Sequence, residues 1–148
     1  MKTMMCACAA FVIAALMAVA AQQREKITAP KYLGHETVAG CSKASVFVNT
    51  PEYIVQCSHR TGPGVVEVHL KETDVIYVIG GEATFVTGGK ALNLKADDPL
   101  QPRGTDIDGG VTHHLTNGDA IVVPAGQPHW FKQVPKSISY FVVKSVKP

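Results

Sequence analysis

The sequence predicts a single all-β domain with the architecture of a β-sandwich or barrel. From about residue 44 onward, short segments rich in Val, Ile and aromatic residues follow one another, separated by Gly- and Pro-containing turns. No long segment shows the 3.6-residue apolar periodicity of an amphipathic helix. Many short strands with such turns are typical of sandwiches and barrels.

The predicted strands follow in chain order, and each ends at a turn signal or a polar stretch. Paired glycines at 80–81 and 88–89, and an Asn-Gly pair at 117–118, are the clearest turns. The polar segment 95–110 is rich in Gly, Pro and Asp, so it is predicted to be a long loop of functional interest. The strands are expected at 45–49, 53–58, 64–70, 75–79, 83–87, 91–94, 112–115, 120–123, 129–134 and 138–143.

The N-terminal residues 1–21 are predicted to be a secretory signal peptide. An uncharged, Ala-rich apolar stretch at 6–21 follows Lys2, and small residues at its end suit cleavage after Ala20 or Ala21. The stretch is shorter than the roughly 20 apolar residues of a membrane anchor, so no membrane attachment is expected after cleavage. The mature protein is therefore expected to be secreted or periplasmic.

Cleavage leaves two cysteines, Cys41 and Cys57, in an oxidising compartment. A disulfide between them is one interpretation, and two buried free thiols in separate strands are the other, because spacing in sequence does not fix their separation in space. The mature chain keeps about as many basic as acidic side chains and has no basic patch. Nucleic acid and membrane surfaces are therefore not expected as partners.

One motif carries specific information. Gly118, Pro124, Gly126 and His129 follow the spacing G-x5-P-x-G-x2-H. This motif resembles the second signature of the cupin superfamily. The resemblance implies a double-stranded β-helix, or jelly-roll barrel, in which His129 points inward at a metal ion.

The upstream segment resembles the first cupin signature, G-x5-H-x-H-x3-4-E-x6-G, in a degenerate form. Glu67 stands at the position of its first histidine, His69 matches the second, Asp74 replaces the glutamate, and Gly81 closes the motif. The resemblance implies that His69, His129, Glu67 and Asp74 bind the metal. It also divides the chain into the signal peptide at 1–21, an N-terminal arm or edge strand at 22–43, and a cupin barrel at 44–148.

Strand alternation adds candidates for the pocket. In 64–70, Glu67 and His69 share one face, which is either a solvated face or, in a cupin, the barrel interior. By the same rule Phe131 and Gln133 share the face of His129, and His113 shares that of Leu115. These three residues, Phe131, Gln133 and His113, are candidates for lining the pocket.

The opposite face of the same strands is apolar. It carries Val66, Val68, Leu70 and Trp130, which are predicted either to pack within the protein or to form a dimer surface. A homodimer is expected, unless the arm at 22–40 covers this face.

The candidate ligands suit one divalent transition-metal ion per chain. Imidazole and carboxylate groups bind Cu, Fe, Mn or Zn. Copper is favoured because an exported protein acquires its metal outside the reducing cytoplasm, where copper binds more tightly than the other divalent ions. The chain also resembles small bacterial jelly-roll proteins that include copper-dependent oxidases of cellulose. This implies an oxidoreductase that uses O2 or peroxide on extracellular carbohydrate such as cellulose.

Two other functions remain open. One is a non-redox metal-dependent isomerase or lyase, and the other is a non-catalytic cupin that binds a sugar or another small molecule. The ligand or substrate is a small molecule or a polysaccharide. The sequence has no G-x-S-x-G motif, no Ser-His-Asp arrangement and no phosphate-binding glycine loop, which argues against nucleophilic hydrolysis and nucleotide chemistry.

Overall fold

A computed structural model of the chain describes residues 24–148. The predicted signal peptide and its cleavage site lie outside these residues. Within 24–148, no helix is long and apolar enough to cross a membrane.

The described chain is built almost entirely from strands, as predicted. A short helix precedes eleven strands, which occupy nearly all the segments where strands were expected. The elements are α1 (His35–Ala39), β1 (Ser45–Asn49), β2 (Tyr53–Arg60), β3 (Val66–Glu67), β4 (Glu72–Thr87), β5 (Lys90–Leu92), β6 (Arg103–Gly104), β7 (Asp106–Asp108), β8 (Val111–Thr116), β9 (Ala120–Val123), β10 (His129–Gln133) and β11 (Ile138–Val146).

Strand β4 is one long strand where two strands and a turn were predicted. Gly80 and Gly81 do not form a hairpin turn; the strand continues through them. Gly81 has a φ of +78°, and a Cβ atom on it would overlap the carbonyl oxygen of Ser137. The glycine pair therefore bends a continuous strand. In the sequence such a bend looks like a hairpin turn, because glycine is favoured in both for its ability to adopt a positive φ.

The bend lets β4 belong to two sheets. Its first half pairs with β11 and β9, and its second half with β10 and β8. The first sheet is completed by β2 and β1 beyond β11, and the second by β3 and β6 beyond β10. Among the described strands, this hydrogen-bonded path runs from β1 to β6 and does not close on itself.

The core lies between the two sheets, where their inward-facing side chains meet. Phe131 of β10 connects them, because its ring centroid lies 4.6 Å from that of Phe85 in the second sheet and 4.9 Å from that of Tyr140 in the first. The buried cluster consists of Ile76, Val78, Ala83, Phe85, Leu115, Val123, Phe131, Val134, Ile138, Tyr140 and Val142.

The apolar face of β3 is covered by the chain itself. Val66 is fully buried against Val86 and Ile107, under the small sheet formed by β5 and β7. Val68 is also buried, and Trp130 packs on the edge of this cluster. Two of the four residues proposed for a dimer surface, Val66 and Trp130, thus pack within the chain, because part of the segment predicted as a loop folds back as strand β7. Val68 is a third that is buried.

Leu70, the fourth of these residues, is about half exposed. Trp130 donates a hydrogen bond from its indole nitrogen to the carbonyl oxygen of Gly64, at 2.8 Å. This internal bond confirms that Trp130 is held by its own chain.

The N-terminal arm lies along the edge of the first sheet without forming a strand of its own. The backbone N–H of Glu25 donates to the carbonyl oxygen of Asn49 at 2.7 Å, and α1 follows. A disulfide then joins Cys41 to Cys57 of β2, with 5.9 Å between their Cα atoms. The disulfide interpretation is confirmed, and the bond attaches the arm to the sheet.

Candidate metal centre

A cavity of about 280 Å³ opens between the two sheets. Its lining combines charged and polar side chains with aromatic and aliphatic ones. It is formed by Ile54, Gln56, Ser58, Arg60, Glu67, His69, Glu72, Asp74, Ile76, Gln101, Arg103, His129, Phe131, Tyr140, Val142 and Lys144.

The turn before β10 places His129 in this cavity. Gly126 adopts a φ of +85°, which a glycine reaches without strain, so that the chain turns sharply after Pro124. The N–H of Gly126 also donates to the carbonyl oxygen of His69 at 2.8 Å. Gly126 therefore orients His129 through the turn and, through this hydrogen bond, holds the segment that carries His69.

Both histidines are buried and face the same point. The Nε2 atoms of His69 and His129 lie 3.7 and 3.9 Å from the Oδ2 atom of Asp74, and the ring centroids are 5.0 Å apart. The Nδ1–H of His129 donates to the carbonyl oxygen of Gln127 at 3.2 Å. This bond fixes the tautomer and leaves the lone pair of Nε2 facing the cavity.

The protein keeps these two imidazoles neutral. Burial lowers the pKa of His69 below its ordinary value of 6.5, and the nearby ammonium of Lys144 lowers it further. Burial likewise lowers the pKa of His129, against the opposing effect of the Gln127 carbonyl. Because neutral imidazole is the form that binds a metal, both side chains are ready to coordinate near neutral pH.

Glu67 lies beside His129 because β3 and β10 pair directly at these two residues. The Glu67 carboxylate is 3.7 Å from Nη2 of Arg60 and 3.8 Å from Nη2 of Arg103, which is beyond hydrogen-bond distance. One ligand atom from each of Glu67, His69 and His129 lies within 4.8 Å of the others. These three residues form one candidate ligand group.

Asp74 belongs to a different set of contacts. It is buried, and both of its carboxylate oxygens accept hydrogen bonds from Nζ of Lys144, at 2.8 and 3.0 Å. The same ammonium lies 3.1 Å from Oε2 of Glu72. His69, Glu72 and Asp74 form a second candidate ligand group, and Lys144 already pairs with both of its carboxylates.

The residues present fit a divalent transition-metal ion. Nδ1 of His69 is buried without a hydrogen-bond partner in the described part of the chain, and it lies 3.5 Å from Oε2 of Glu72, so the polar groups around His69 are not fully satisfied by one another. Two ligands at about 2.1 Å from an ion are about 3.4 Å apart in a tetrahedral site. One donor atom from each of Glu67, His69 and His129 lies within 4.8 Å of the other two, so modest movements would bring these donors to bonding distance.

The structure places the pocket candidates differently. Phe131 lines the cavity. Gln133 is exposed and accepts a hydrogen bond from Thr84 at 3.2 Å, because a register shift after Phe131 breaks the alternation. His113 hydrogen-bonds to Thr87 on the neighbouring strand and is not among the cavity-lining residues.

The sequence interpretation missed several cavity residues, of which Arg60, Tyr140 and Lys144 make the most specific contacts. Nε of Arg60 donates to the Tyr140 hydroxyl at 3.1 Å, and the guanidinium lies 4.9 Å from the centroid of Phe131. Alternation in β11 was the available signal for Tyr140 and Lys144, since both share the parity of buried Val142. A lysine on an otherwise apolar strand face requires a buried partner.

Comparison with known proteins gives a family match. The family model described as Cupin matches residues 54–148. Comparison with curated proteins gives no match.

Solved structures of similar fold include a protein from Bacillus halodurans, BH2720, with a TM-score of 0.59 and 13% identity over 82% of this chain and 84% of that one. A Klebsiella pneumoniae protein with a double-stranded β-helix domain has a TM-score of 0.49 and 22% identity, over 70% of this chain and 77% of that one. The family match and the BH2720 similarity agree with the strand arrangement described above. The chain therefore belongs to the cupin family.

Proposed function

We propose that the protein is a secreted, mononuclear metal-dependent cupin enzyme that oxidises an extracellular carbohydrate. One observation carries this proposal: two buried, neutral histidines and the carboxylate of Glu67 converge inside a cavity that a substrate can enter. In this arrangement His69, His129 and Glu67 hold the ion. A redox-active metal, when bound there, supplies the activation of O2 or peroxide.

Copper is the metal we propose, with iron, manganese and zinc as alternatives. The Irving–Williams order favours copper at nitrogen and oxygen ligands, and an exported protein meets metals outside the reducing cytoplasm. The Cys41–Cys57 disulfide supports export, because such bonds persist in oxidising compartments. Mass spectrometry of the exported protein tests this proposal of export. We expect a mature N terminus directly after Ala20 or Ala21.

The cavity favours a small substrate or the end of a chain. Its volume of about 280 Å³ is near the lower end of the range for ligand pockets, which suits a small substrate better than the interior of a long cellulose chain. Arg60 and Gln101 line the cavity with groups that can donate to sugar hydroxyl or carboxylate oxygens, and Phe131 and Tyr140 add aromatic surface to its wall. We therefore propose a short oligosaccharide or a sugar derivative as the substrate.

A second candidate is a metal-dependent isomerase or lyase. The buried cluster of Lys144, Asp74 and Glu72 lies next to the proposed metal and contains groups that transfer protons. Such groups are what a non-redox reaction at carbon requires, so this alternative is tested in the same experiment.

The experiment loads the purified protein separately with Cu²⁺, Fe²⁺, Mn²⁺ and Zn²⁺ and incubates it with soluble gluco-oligosaccharides and sugar acids. Products are followed by mass spectrometry with and without a reductant, O2 and peroxide. We expect oxidised products that require the oxidant, from wild type and from the control Gln133→Ala, but not from His129→Ala. Turnover with Zn²⁺ and no oxidant would favour the isomerase or lyase, and binding without turnover would identify a non-catalytic cupin.

A further inference from the structure

The two carboxylates implied as metal ligands differ in their contacts. Glu67 makes no contact shorter than 3.7 Å with either neighbouring arginine. Asp74 accepts two hydrogen bonds from Lys144, at 2.8 and 3.0 Å. Glu67 is therefore held by no hydrogen bond from a cation, whereas both oxygens of Asp74 are hydrogen-bonded to Lys144.

The fold fixes this ion pair. Lys144 and Asp74 are direct partners in the antiparallel pairing of β11 with β4, so sheet register holds their side chains opposite each other. Both residues are buried, with relative exposures of 9% and 4%. A buried ammonium that loses its carboxylate pays a large desolvation cost, so Lys144 does not release Asp74 readily.

A metal ion at the two histidines would compete with Lys144 for the same oxygen. Oδ2 of Asp74 is the atom that faces both Nε2 atoms, and it is also the atom that lies 3.0 Å from Nζ. A divalent ion on this oxygen would stand close to the ammonium, and the two cations would repel each other in a site of low dielectric constant. Coordination through Glu67 places the ion near Arg60 and Arg103 instead, which lie 3.7 and 3.8 Å from its carboxylate without hydrogen bonds to it, so no hydrogen-bonded cation competes for the coordinating oxygen.

We propose that Lys144 determines the metal-ligand set by holding Asp74 out of coordination. The metal is then bound by His69, His129 and Glu67 alone, which leaves open positions for a substrate or an oxidant. This inference rests on the proposed function, because it assumes that the histidines bind a metal. Lys144 acts as a specificity-determining residue: it sets the number of protein ligands without touching the ion.

The test compares four proteins by their affinity for Co²⁺ and by the visible absorption spectrum of the bound ion, which reports its coordination. They are wild type, Asp74→Asn/Lys144→Met, Lys144→Met and Glu67→Gln. The double variant removes the ion pair without changing the net charge. A charge-neutral change of this kind separates coordination by Asp74 from its long-range electrostatic effect.

We expect the double variant to bind Co²⁺ within about threefold of wild type and to give the same spectrum. Lys144→Met frees Asp74 to coordinate, so we expect affinity to rise about tenfold or more and the spectrum to change. Glu67→Gln removes a direct ligand and should weaken binding by about 100-fold, at the upper end of the losses seen for outer-shell groups.

The proposal is overturned if the double variant loses more than about 30-fold in affinity or changes the spectrum, since Asp74 would then be a ligand. Unchanged binding and spectrum in a folded Lys144→Met would also contradict it. If Lys144→Met does not fold, the double variant alone decides. A wild-type protein that binds none of Co²⁺, Cu²⁺ or Zn²⁺ would instead refute the proposed metal-dependent function.

Discussion

His69 and His129 show how burial prepares a residue for metal chemistry. Each lies on a segment that the fold holds rigidly, His129 by strand pairing and the bond to Gln127, and His69 by the bond from Gly126. Burial lowers the pKa of both imidazoles, so they stay neutral where a surface histidine would begin to protonate. The lowered pKa values of the two histidines should make the metal-free protein less stable at acid pH.

The metal-free protein should lose stability as the pH falls below about 6.5. Because the folded-state pKa of each histidine is lower than the ordinary value of 6.5, the unfolded chain takes up protons first and acid favours unfolding. The free energy of unfolding should fall by up to about 1.4 kcal/mol per pH unit for each histidine until the folded-state pKa is reached. Urea titrations at pH 7.5, 6.5 and 5.5 measure this free energy of unfolding.

The control for this effect is His69→Gln/His129→Gln, in which the dependence below pH 6.5 should be visibly flatter. His59→Gln is a matched variant, because His59 bonds to Ser139 outside the cavity lining. A double variant with the same pH dependence as wild type would show that other groups cause the loss.

The sequence predicts the individual site residues where a motif marks them. His129 and Gly126 could be placed from the second cupin signature, and Glu67 and His69 from the first, although the strand predicted at 64–70 is only Val66–Glu67 and His69 lies beyond its end. Alternation in β11 marks Lys144 as inward-facing, but its partner Asp74 and the role of Arg60 could not be predicted, because they depend on which strands become neighbours. Gln133 was misplaced because a bulge shifts the alternation by one residue after Phe131.

At the scale of elements, β4 organises the structure. It supplies Glu72 and Asp74 at its first end, crosses from one sheet to the other at Gly81, and carries Phe85 into the core at its second end. The sequence predicts most strand positions well, since each has its own run of Val, Ile and aromatic residues. It cannot distinguish the bend in β4 from a hairpin turn, because glycine pairs serve both, nor can it pair β5 with β7 across a polar loop.

Gly81→Ala should destabilise the protein strongly, whereas Gly80→Ala should not. A Cβ atom at position 81 would collide with the backbone of Ser137 and would require a positive φ, but a Cβ atom at position 80 would meet nothing within 4 Å beyond its chain neighbours. We expect a loss above about 2 kcal/mol for Gly81→Ala and a change within about 1 kcal/mol for Gly80→Ala, by urea unfolding. Equal effects at both positions would contradict a bend centred on Gly81.

At the scale of the whole molecule, the predicted homodimer needs a different surface from the apolar face of β3. Val66 is buried with Ala91 of β5 and Ile107 of β7, and Val68 is buried as well. The outer face of the first sheet instead presents Val75, Tyr77 and Val122, which are 42%, 49% and 58% exposed. Val75 and Val122 are direct partners across β4 and β9, so these side chains form a continuous apolar patch.

We therefore predict a homodimer formed through this outer face of the first sheet. Tyr77→Glu should shift the protein to monomer, because a second copy would bury an unpaired carboxylate. Val111→Glu is the control, since Val111 is an exposed apolar residue on β8 of the other sheet. Light scattering at micromolar concentration measures the mass, and a wild-type monomer at every concentration would contradict the dimer.

In the proposed metal centre, His129 binds the ion together with His69 and Glu67. Isothermal titration of the metal-free protein with Cu²⁺ and Zn²⁺ tests this directly, with Gln133→Ala as a control on the same strand. We predict one ion per chain for wild type and for the control, and the loss of this stoichiometric binding in a folded His129→Ala protein. Stoichiometric binding of undiminished affinity by His129→Ala would contradict the site.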